Sequence, residues 1–313
     1  MLKRILKYIG IAFLILVLLG VTFIAFNYKN DLPLDYLKEK YAFEESKYLD
    51  LMGMPMHYVR QGKGKPLVLL HGTGGSVRDW NDWTNLLKDS FEIVRLDLPG
   101  FGLTGPNPAG DYSLDFYMAF LEQAFEVIGL DSFYLAGNSF GGHLSWNYTS
   151  LHPEQVQRLI LVDASGYPRV SKKLPIAFRL GANPFLSKWL EKITPRSIIK
   201  KTALDVYADD SQVTDKRIDR YYELLLREGN RKGVMQRLQQ VKQDKHHLIK
   251  NIQTPTLVMS GDADLLVPVE HAHQFNKDLP NSVLKIYKNV GHVPMEEVPE
   301  ESAKDVMDFL MNE

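Results

Sequence analysis

The chain has 313 residues, of which 45% are hydrophobic and 24% are charged, enough for one large domain or two modest ones with a hydrophobic core. This composition excludes disorder and fibrous repeats, and the lack of cysteine excludes disulfide scaffolds, cysteine-ligated metal centres and thiol nucleophiles. With 37 basic and 38 acidic residues, the overall balance argues against a nucleic-acid-binding protein.

The chain begins with a predicted membrane helix. Residues 9–26 carry no charge and would span about 27 Å as a helix, close to the hydrocarbon thickness of a bilayer. A cleaved signal peptide has a shorter apolar run and then a cleavage site of small residues. No such site lies between Gly20 and Asn30, so we favour a retained anchor over residues 1–30. The basic residues before this run predict a cytoplasmic N-terminus, with the remaining chain on the exoplasmic or periplasmic side.

After a polar connector near residues 27–45, short apolar runs alternate with helical stretches. The predicted strands are 47–51, 56–60, 67–70, 91–96, 133–136, 159–162, 256–260 and 283–287, and the helices between them include 114–128 and 141–152. Continuous apolar strands that alternate with helices are typical of a mostly parallel sheet with both faces covered. The sequence therefore predicts an α/β fold, with its core over residues 45–167 and 251–313.

Residues 168–250 interrupt this alternation and predict helices at 176–193, 218–227 and 232–243. Such an insertion predicts a helical cap over the C-terminal edge of the sheet. The segment holds 19 Lys and Arg against 9 Asp and Glu, a net charge of +10, whereas residues 31–167 and 251–313 together carry −15. One interpretation is a solvated helical surface; the other is a basic surface with Phe178, Phe185 and Trp189 that contacts anionic lipid headgroups beside the anchor.

Residues 137–141, GNSFG, fit the pattern G-x-S-x-G directly after the strand 133–136. A serine between a strand and a helix lies on a sharp, strained turn, which flanking glycines allow to close. The same turn aims the backbone N–H of Phe140 and the start of the following helix at any group bonded to the Ser139 hydroxyl. Pattern and position together predict Ser139 as a nucleophile and Phe140 N–H as an oxyanion donor.

His292 is the candidate base among the nine histidines. It follows the last predicted strand, 283–287, and so lies at the same edge of the sheet as Ser139. A serine hydroxyl is a poor nucleophile until such a base takes its proton. We therefore expect the two side chains to meet at this edge.

The base needs a carboxylate that fixes its tautomer. Asp264 follows the strand 256–260 at the same edge and is our choice, because the turn at Pro268 should hold it at the loop tip. Asp262 is the near alternative, and Asp163, at the end of strand 159–162, is the third.

The segment 71–75, HGTGG, follows the strand 67–70. Three glycines in five residues allow the backbone to turn its N–H groups toward a ligand, so Thr73 N–H is the candidate second oxyanion donor. The segment does not match the patterns of phosphate-binding loops.

Five motifs occur in the order found in α/β hydrolases: HGT at 71–73, DLPGFG at 97–102, GNSFG at 137–141, GDADLLVP at 261–268 and GHVPMEE at 291–297. Together they resemble the capped serine hydrolases of the α/β-hydrolase superfamily, which include esterases and lipases. The resemblance implies Ser139 as nucleophile, Asp264 as acid and His292 as base, with an oxyanion hole formed by the N–H groups of Thr73 and Phe140. It also implies that the cap lines the substrate pocket.

The expected function is a membrane-anchored serine hydrolase that cleaves an ester or lipid with a hydrophobic acyl group, without metal or organic cofactor. Haloalkane dehalogenases and epoxide hydrolases of this fold use an aspartate nucleophile, so Ser139 argues against both. A carbon–carbon or amide hydrolase with the same triad is the first alternative, weakened by Val293, since carbon–carbon hydrolases often carry Trp there. The alternative from another class is a non-catalytic hydrolase-fold binding protein at the membrane.

Overall fold

An eight-stranded β-sheet forms the centre of the protein in a computed structural model that describes residues 1–168, 175–240 and 243–311. Its strands are β1 (Ser46–Leu51), β2 (Met54–Gly62), β3 (Lys65–Leu70), β4 (Phe91–Leu96), β5 (Phe133–Asn138), β6 (Val156–Val162), β7 (Thr256–Gly261) and β8 (Ser282–Tyr287). They lie in the order β1-β2-β4-β3-β5-β6-β7-β8. The pairs β1–β2 and β2–β4 are antiparallel and the others are parallel, which confirms the predicted mostly parallel sheet.

Helices surround this sheet, and the first and last described elements are helices. They are α1 (Leu2–Asn27), α2 (Leu34–Tyr41), α3 (Asn81–Leu87), α4 (Leu114–Ile128), α5 (Phe140–Leu151), α6 (Ile176–Gly181), α7 (Pro184–Leu190), α8 (Arg196–Val206), α9 (Asp215–Leu225), α10 (Asn230–Gln239), α11 (Glu270–Asp278), α12 (Pro294–Glu297) and α13 (Pro299–Met311). Short 3-10 turns cover Val77–Trp80, Asp210–Gln212 and His246–Asn251. Helices α6 to α10 lie between β6 and β7 and are called the cap below.

Two hydrophobic cores lie on opposite faces of the sheet. On β3, Val68 and Leu70 belong to the core that includes α4 and α5, whereas Leu67 and Leu69 belong to the core that includes α3 and α13. All four side chains are fully buried. Successive residues of a strand point to opposite faces, so a strand covered on both sides is apolar at every position, which explains the continuous apolar runs in the sequence.

The observed helices differ from the predicted ones in three places. The polar connector near residues 27–45 contains α2, which buries Leu37 completely. The single helix predicted over 176–193 is two helices, because Pro184 has no N–H with which to continue α6 and the Asn183 side chain caps α7 by accepting bonds from two of its N–H groups. Helix α8 is not predicted at all, since no strong apolar periodicity marks it.

The predicted domain boundaries, 1–30, 45–167 with 251–313, and 168–250, stay predictions. Residues 169–174, 241–242 and 312–313, which fall within these units, lie outside the described residues. The predicted helix 232–243 extends past the end of α10 into one of these gaps.

Helix α1 is long and apolar enough to cross a membrane. Within Lys3–Asn27, the 18-residue window that meets this criterion has a mean hydropathy of 2.9 and is not buried against the rest of the protein. Length and composition of this kind are shared by membrane spans and signal sequences. The end of α1 and the residues after it are hydrogen-bonded to the cap. Lys29 N–H donates to Lys192 O at 2.9 Å, and Thr194 N–H donates to Asn27 O at 3.1 Å. The end of α1 therefore lies beside the end of α7.

Candidate active site

Ser139 lies between β5 and α5 on a turn that most residues avoid. Its φ of +56° and ψ of −112° are in a region that costs about 1–3 kcal/mol for a residue with a side chain. Its N–H donates to Val162 O at 3.0 Å, and Ser165 N–H donates to Ser139 O at 3.1 Å, so the turn is bonded to the end of β6 and the loop after it. The structure thus contains the strained strand-to-helix turn that the sequence predicts.

The two glycines of the motif are required by close backbone packing. A Cβ atom at Gly137 would overlap the backbone of Gly141, and one at Gly141 would overlap the backbone oxygen of Leu70 on β3. Because neither glycine has a side chain, the start of α5 packs directly against the sheet. The first N–H groups of a helix, here including that of Phe140, have no partner within the helix and carry its partial positive charge.

His292 and Asp264 are hydrogen-bonded to each other. His292 lies in the loop between β8 and α12, and its Nδ1 is 2.6 Å from Asp264 Oδ2, with both side chains buried. The other carboxylate oxygen of Asp264 accepts bonds from Leu266 N–H at 2.7 Å and Val267 N–H at 3.1 Å. Both carboxylate oxygens of Asp264 therefore face nitrogen atoms, which holds the carboxylate toward the ring.

The two alternative carboxylates have different surroundings. Asp262 is exposed and accepts a bond from Asn289 N–H at 2.6 Å. Asp163 is buried beside Asp264, and burial, followed by the neighbouring Asp264 carboxylate, raises the pKa of Asp163 well above its usual range. Of the three candidates, the hydrogen bond to His292 Nδ1 is made by Asp264.

Asn138 is hydrogen-bonded to the loop that carries His292. The sequence does not predict this role. Its Nδ2 donates to His292 O at 2.9 Å and to Val162 O at 3.2 Å. His292 N–H in turn donates to Val206 O at 2.8 Å, at the end of α8 in the cap. The signal in the sequence is a single amide in the motif GNSFG, which does not reveal its partners.

His71 shapes the glycine-rich loop after β3. Its Nε2 accepts a bond from Leu98 N–H at 3.0 Å, so its Nδ1 carries the proton and donates to Gly72 O at 2.7 Å. Burial lowers the pKa of His71, in keeping with this neutral form. The side chain thereby holds Gly72 and Thr73 beside Ser139, where all three line one cavity.

This cavity has a volume of about 170 Å³ and lies between the cap and the sheet edge. Ser139 and His292 both line it, together with Thr73. Most of its wall is apolar and comes from cap side chains such as Phe178, Leu180, Ile198, Ile199, Met235 and Leu238. The structure therefore brings the predicted nucleophile and base to one apolar cavity.

A buried ionic cluster beside the cavity is also missed by sequence reasoning. Arg220 Nη2 of α9 lies 2.8 Å from Glu296 Oε1 and 3.1 Å from Asp79 Oδ1, and Asp79 lines the cavity. Burial, only partly offset by Arg220, raises the pKa of Asp79 to about 7, and Glu296 adds to the rise. These residues lie far apart in sequence, so no local pattern reveals them.

The strained serine turn, the His–Asp pair and the sheet that carries them are features of an α/β hydrolase. A family model described as alpha/beta hydrolase fold matches residues 65–299. The chain belongs to this family.

Its relatives include lipases and a hydrolase of a dienoic acid. The 2-hydroxy-6-oxo-6-(2'-aminophenyl)hexa-2,4-dienoic acid hydrolase of Metapseudomonas resinovorans is 26% identical over 282 residues, 87% of this chain and 93% of the relative. Lipase 1 of Psychrobacter immobilis is 27% identical over 289 residues, 88% of this chain and 87% of the relative. The crystal structure of a membrane phospholipase A, a bacterial virulence factor, matches with a TM-score of 0.74 and 26% identity over 98% of both chains.

Proposed function

We propose that the protein is a membrane-anchored serine hydrolase that cleaves esters of hydrophobic acyl groups. The observation that carries this proposal is the position of Ser139 and His292 on one apolar cavity, with Asp264 hydrogen-bonded to His292. An apolar wall favours an acyl chain, because an unpaired charge buried there would cost several kcal/mol. The similarity to lipases supports the ester as the bond that is cleaved.

In the proposed mechanism, Ser139 Oγ attacks the ester carbonyl while His292 Nε2 accepts its proton. Asp264 keeps the proton of the ring on Nδ1 and stabilises the imidazolium. The N–H groups of Thr73 and Phe140 hold the oxyanion. His292 then protonates the leaving alcohol, and water, activated by the same ring, hydrolyses the acyl-enzyme.

The test is labelling of the full chain in membranes with a fluorophosphonate probe, together with turnover of short p-nitrophenyl esters. Ser139→Ala should abolish both, because it removes the only oxygen that the probe would modify in this mechanism. Ser145→Ala is the matched control, since Ser145 lies on α5 and its hydroxyl is bonded to Gly141 O at 2.8 Å. Undiminished labelling of Ser139→Ala would refute the proposal.

A carbon–carbon hydrolase is the second candidate, favoured by the similarity to the dienoic acid hydrolase. Both reactions would use the same nucleophile and base, so labelling does not separate them. Turnover of a panel of acyl esters and 2-hydroxy-6-oxo-dienoic acids separates the two reactions. We expect higher kcat/KM on the esters, because most of the wall is apolar and the guanidinium that lines it, that of Arg231, is already paired with Asp31.

The membrane part of the proposal is that α1 is retained as an anchor, with the N-terminus in the cytoplasm and the hydrolase on the other side. The bonds from Asn27 and Lys29 to the cap bring α7 next to the membrane surface. On α7 the side chains of Phe185 and Trp189 are 77% and 62% exposed, and Lys188 lies between them. Exposed aromatic and basic side chains favour contact with anionic headgroups.

Tryptophan fluorescence tests this contact in the full chain reconstituted in vesicles. Of the four tryptophans, Trp189 is exposed, while the others are fully buried. Brominated anionic lipids should therefore quench emission in the wild type, and Trp189→Phe should lose this quenching. Quenching that persists unchanged in Trp189→Phe, or none in the wild type, would contradict the contact.

A further inference from the structure

Asp163 is a second buried carboxyl group beside the proposed triad. Its Oδ1 accepts bonds from Ser260 Oγ at 2.8 Å and Gly261 N–H at 3.0 Å. Its Oδ2 is buried and receives no hydrogen bond from the described residues. One carboxyl oxygen of Asp163, one of Asp264 and one ring nitrogen of His292 all lie within 4.8 Å of one another.

Two carboxylates in contact in a buried site do not both ionise near neutral pH. Within residues 1–168, 175–240 and 243–311, no lysine or arginine forms an ion pair with Asp163 or Asp264 that would offset two negative charges. One proton is therefore shared by the pair. It belongs on Asp163, because three N–H donors to both oxygens of Asp264 stabilise the charged form of that group.

We propose that Asp163 keeps a proton on Oδ2 and donates it in a hydrogen bond to Asp264, as a positioning residue that holds the Asp264 carboxylate against His292. This inference rests on the proposed function. The proton stays on Asp163 throughout the reaction, so no bond forms or breaks there. In this state the cluster has a single negative charge, which the imidazolium of His292 balances during catalysis.

The surroundings of Asp163 support this state. The titratable groups that face it in the described chain are Asp264 and His292 from the two neighbouring loops and Tyr287 from the end of β8. Burial raises the pKa of Tyr287, so this side chain stays neutral. In the described chain the lysine of β8, Lys285, pairs with Asp305 at 2.8 Å and forms no ion pair with Asp163.

The backbone at Asp163 decides which substitutions test the proposal. Its φ is +43°, a region that Asn and Gly adopt most readily. Asp163→Asn keeps both an acceptor for Ser260 and a donor for Asp264 in a group that cannot ionise. Glycine also adopts this backbone conformation, but Asp163→Gly removes the hydrogen-bond donor to Asp264.

The experiment measures the rate of fluorophosphonate labelling of the full chain in membranes as a function of pH. Asp163→Asn should label within about twofold of the wild type, with the same acid limb. Asp163→Gly should label roughly 10- to 100-fold more slowly near neutral pH, because a hydrogen bond to a charged group is lost. Its acid limb should also move to higher pH, because the Asp264 carboxylate then faces the ring without a competing donor.

Two results would overturn the proposal. If Asp163→Asn is as slow as Asp163→Gly, Asp163 acts as an anion. If both variants match the wild type in rate and acid limb, Asp163 does not position Asp264.

Infrared spectroscopy gives a readout that does not depend on catalysis. The difference spectrum between wild type and Asp163→Asn should contain the C=O stretch of a protonated carboxyl at neutral pH. Its absence overturns the proposal. A wild type that shows this band but never reacts with the probe would instead refute the proposed hydrolase function while leaving the proton assigned to Asp163.

Discussion

Arg220 connects the cap to the wall of the cavity through two buried carboxylates, and its removal gives a sharp prediction. The guanidinium is 12% exposed, whereas the Glu296 and Asp79 side chains that it contacts are 3% and 6% exposed. Substitution Arg220→Met keeps much of the apolar stem but removes the charge. Two carboxylates then remain in a buried site without their main counter-ion.

The expected cost follows from this burial. Breaking a buried ion pair by removal of one partner costs about 3–5 kcal/mol. Arg217 Nε lies 3.7 Å from Glu296 Oε2 and compensates in part, so we expect Arg220→Met to lower the free energy of unfolding by about 3 kcal/mol, the lower end of that range. Arg196→Met is the control: its bonds to Asp215 and Asp219 are largely exposed, so the loss should stay below about 1 kcal/mol.

The loss of unfolding free energy in Arg220→Met should also depend on pH. The pKa of Asp79 is raised to about 7, above its unfolded value of 3.8, so its neutral form stabilises the fold at low pH and this contribution is lost as pH rises toward 7. Without Arg220 the pKa of Asp79 rises further, so the stabilising contribution of its neutral form continues to fall at higher pH. The difference between wild type and Arg220→Met should therefore be larger near about pH 8 than near about pH 6.

Denaturant unfolding of the full chain in detergent, followed by tryptophan fluorescence at both pH values, measures these differences. A deficit for Arg220→Met no larger than that of Arg196→Met would refute the reasoning, as would a deficit that does not change with pH.

Further outcomes follow from the geometry of the site. Gly141→Ala should lower the free energy of unfolding by about 1–3 kcal/mol, measured as a lower thermal midpoint, because its Cβ would overlap Leu70 O; an unchanged midpoint would contradict the packing. Asp264→Asn should lower kcat/KM on p-nitrophenyl esters by about 10³- to 10⁴-fold, while Asp262→Asn should leave it unchanged; equal effects would contradict the assigned acid. Ile198→Trp should fill part of the cavity. In an ester series, each methylene that no longer fits should then lower kcat/KM roughly fourfold relative to the wild type; an unaltered chain-length profile would show that the acyl group lies elsewhere.

Much of the fold is predictable because its signals are local. A strand covered on both faces is mostly apolar, so interior strands such as β3 and β7 are visible as short apolar runs. The turn at Ser139 is predictable for a related reason: the flanking glycines are required within a few residues of it, where a motif can show them. The long apolar α1 is visible from its composition alone.

Less regular helices are poorly predicted. The break between α6 and α7 depends on Asn183 and Pro184, whose effect is visible in the sequence but is outweighed by the apolar residues around them. Helix α2 lies in the predicted polar connector, because its few apolar residues, such as Leu37, are distinguished only by their burial.

The sequence by itself therefore determines the sheet, the position of the serine turn and the candidates for its partners, because each depends on neighbours along the chain. Only the tertiary structure decides which carboxylate is bonded to His292, that Asp163 is buried beside it, and that Arg220 joins the cap to the cavity wall. These contacts join residues many positions apart, and their energies come from burial and from the few ångströms between charged atoms, neither of which a linear pattern contains.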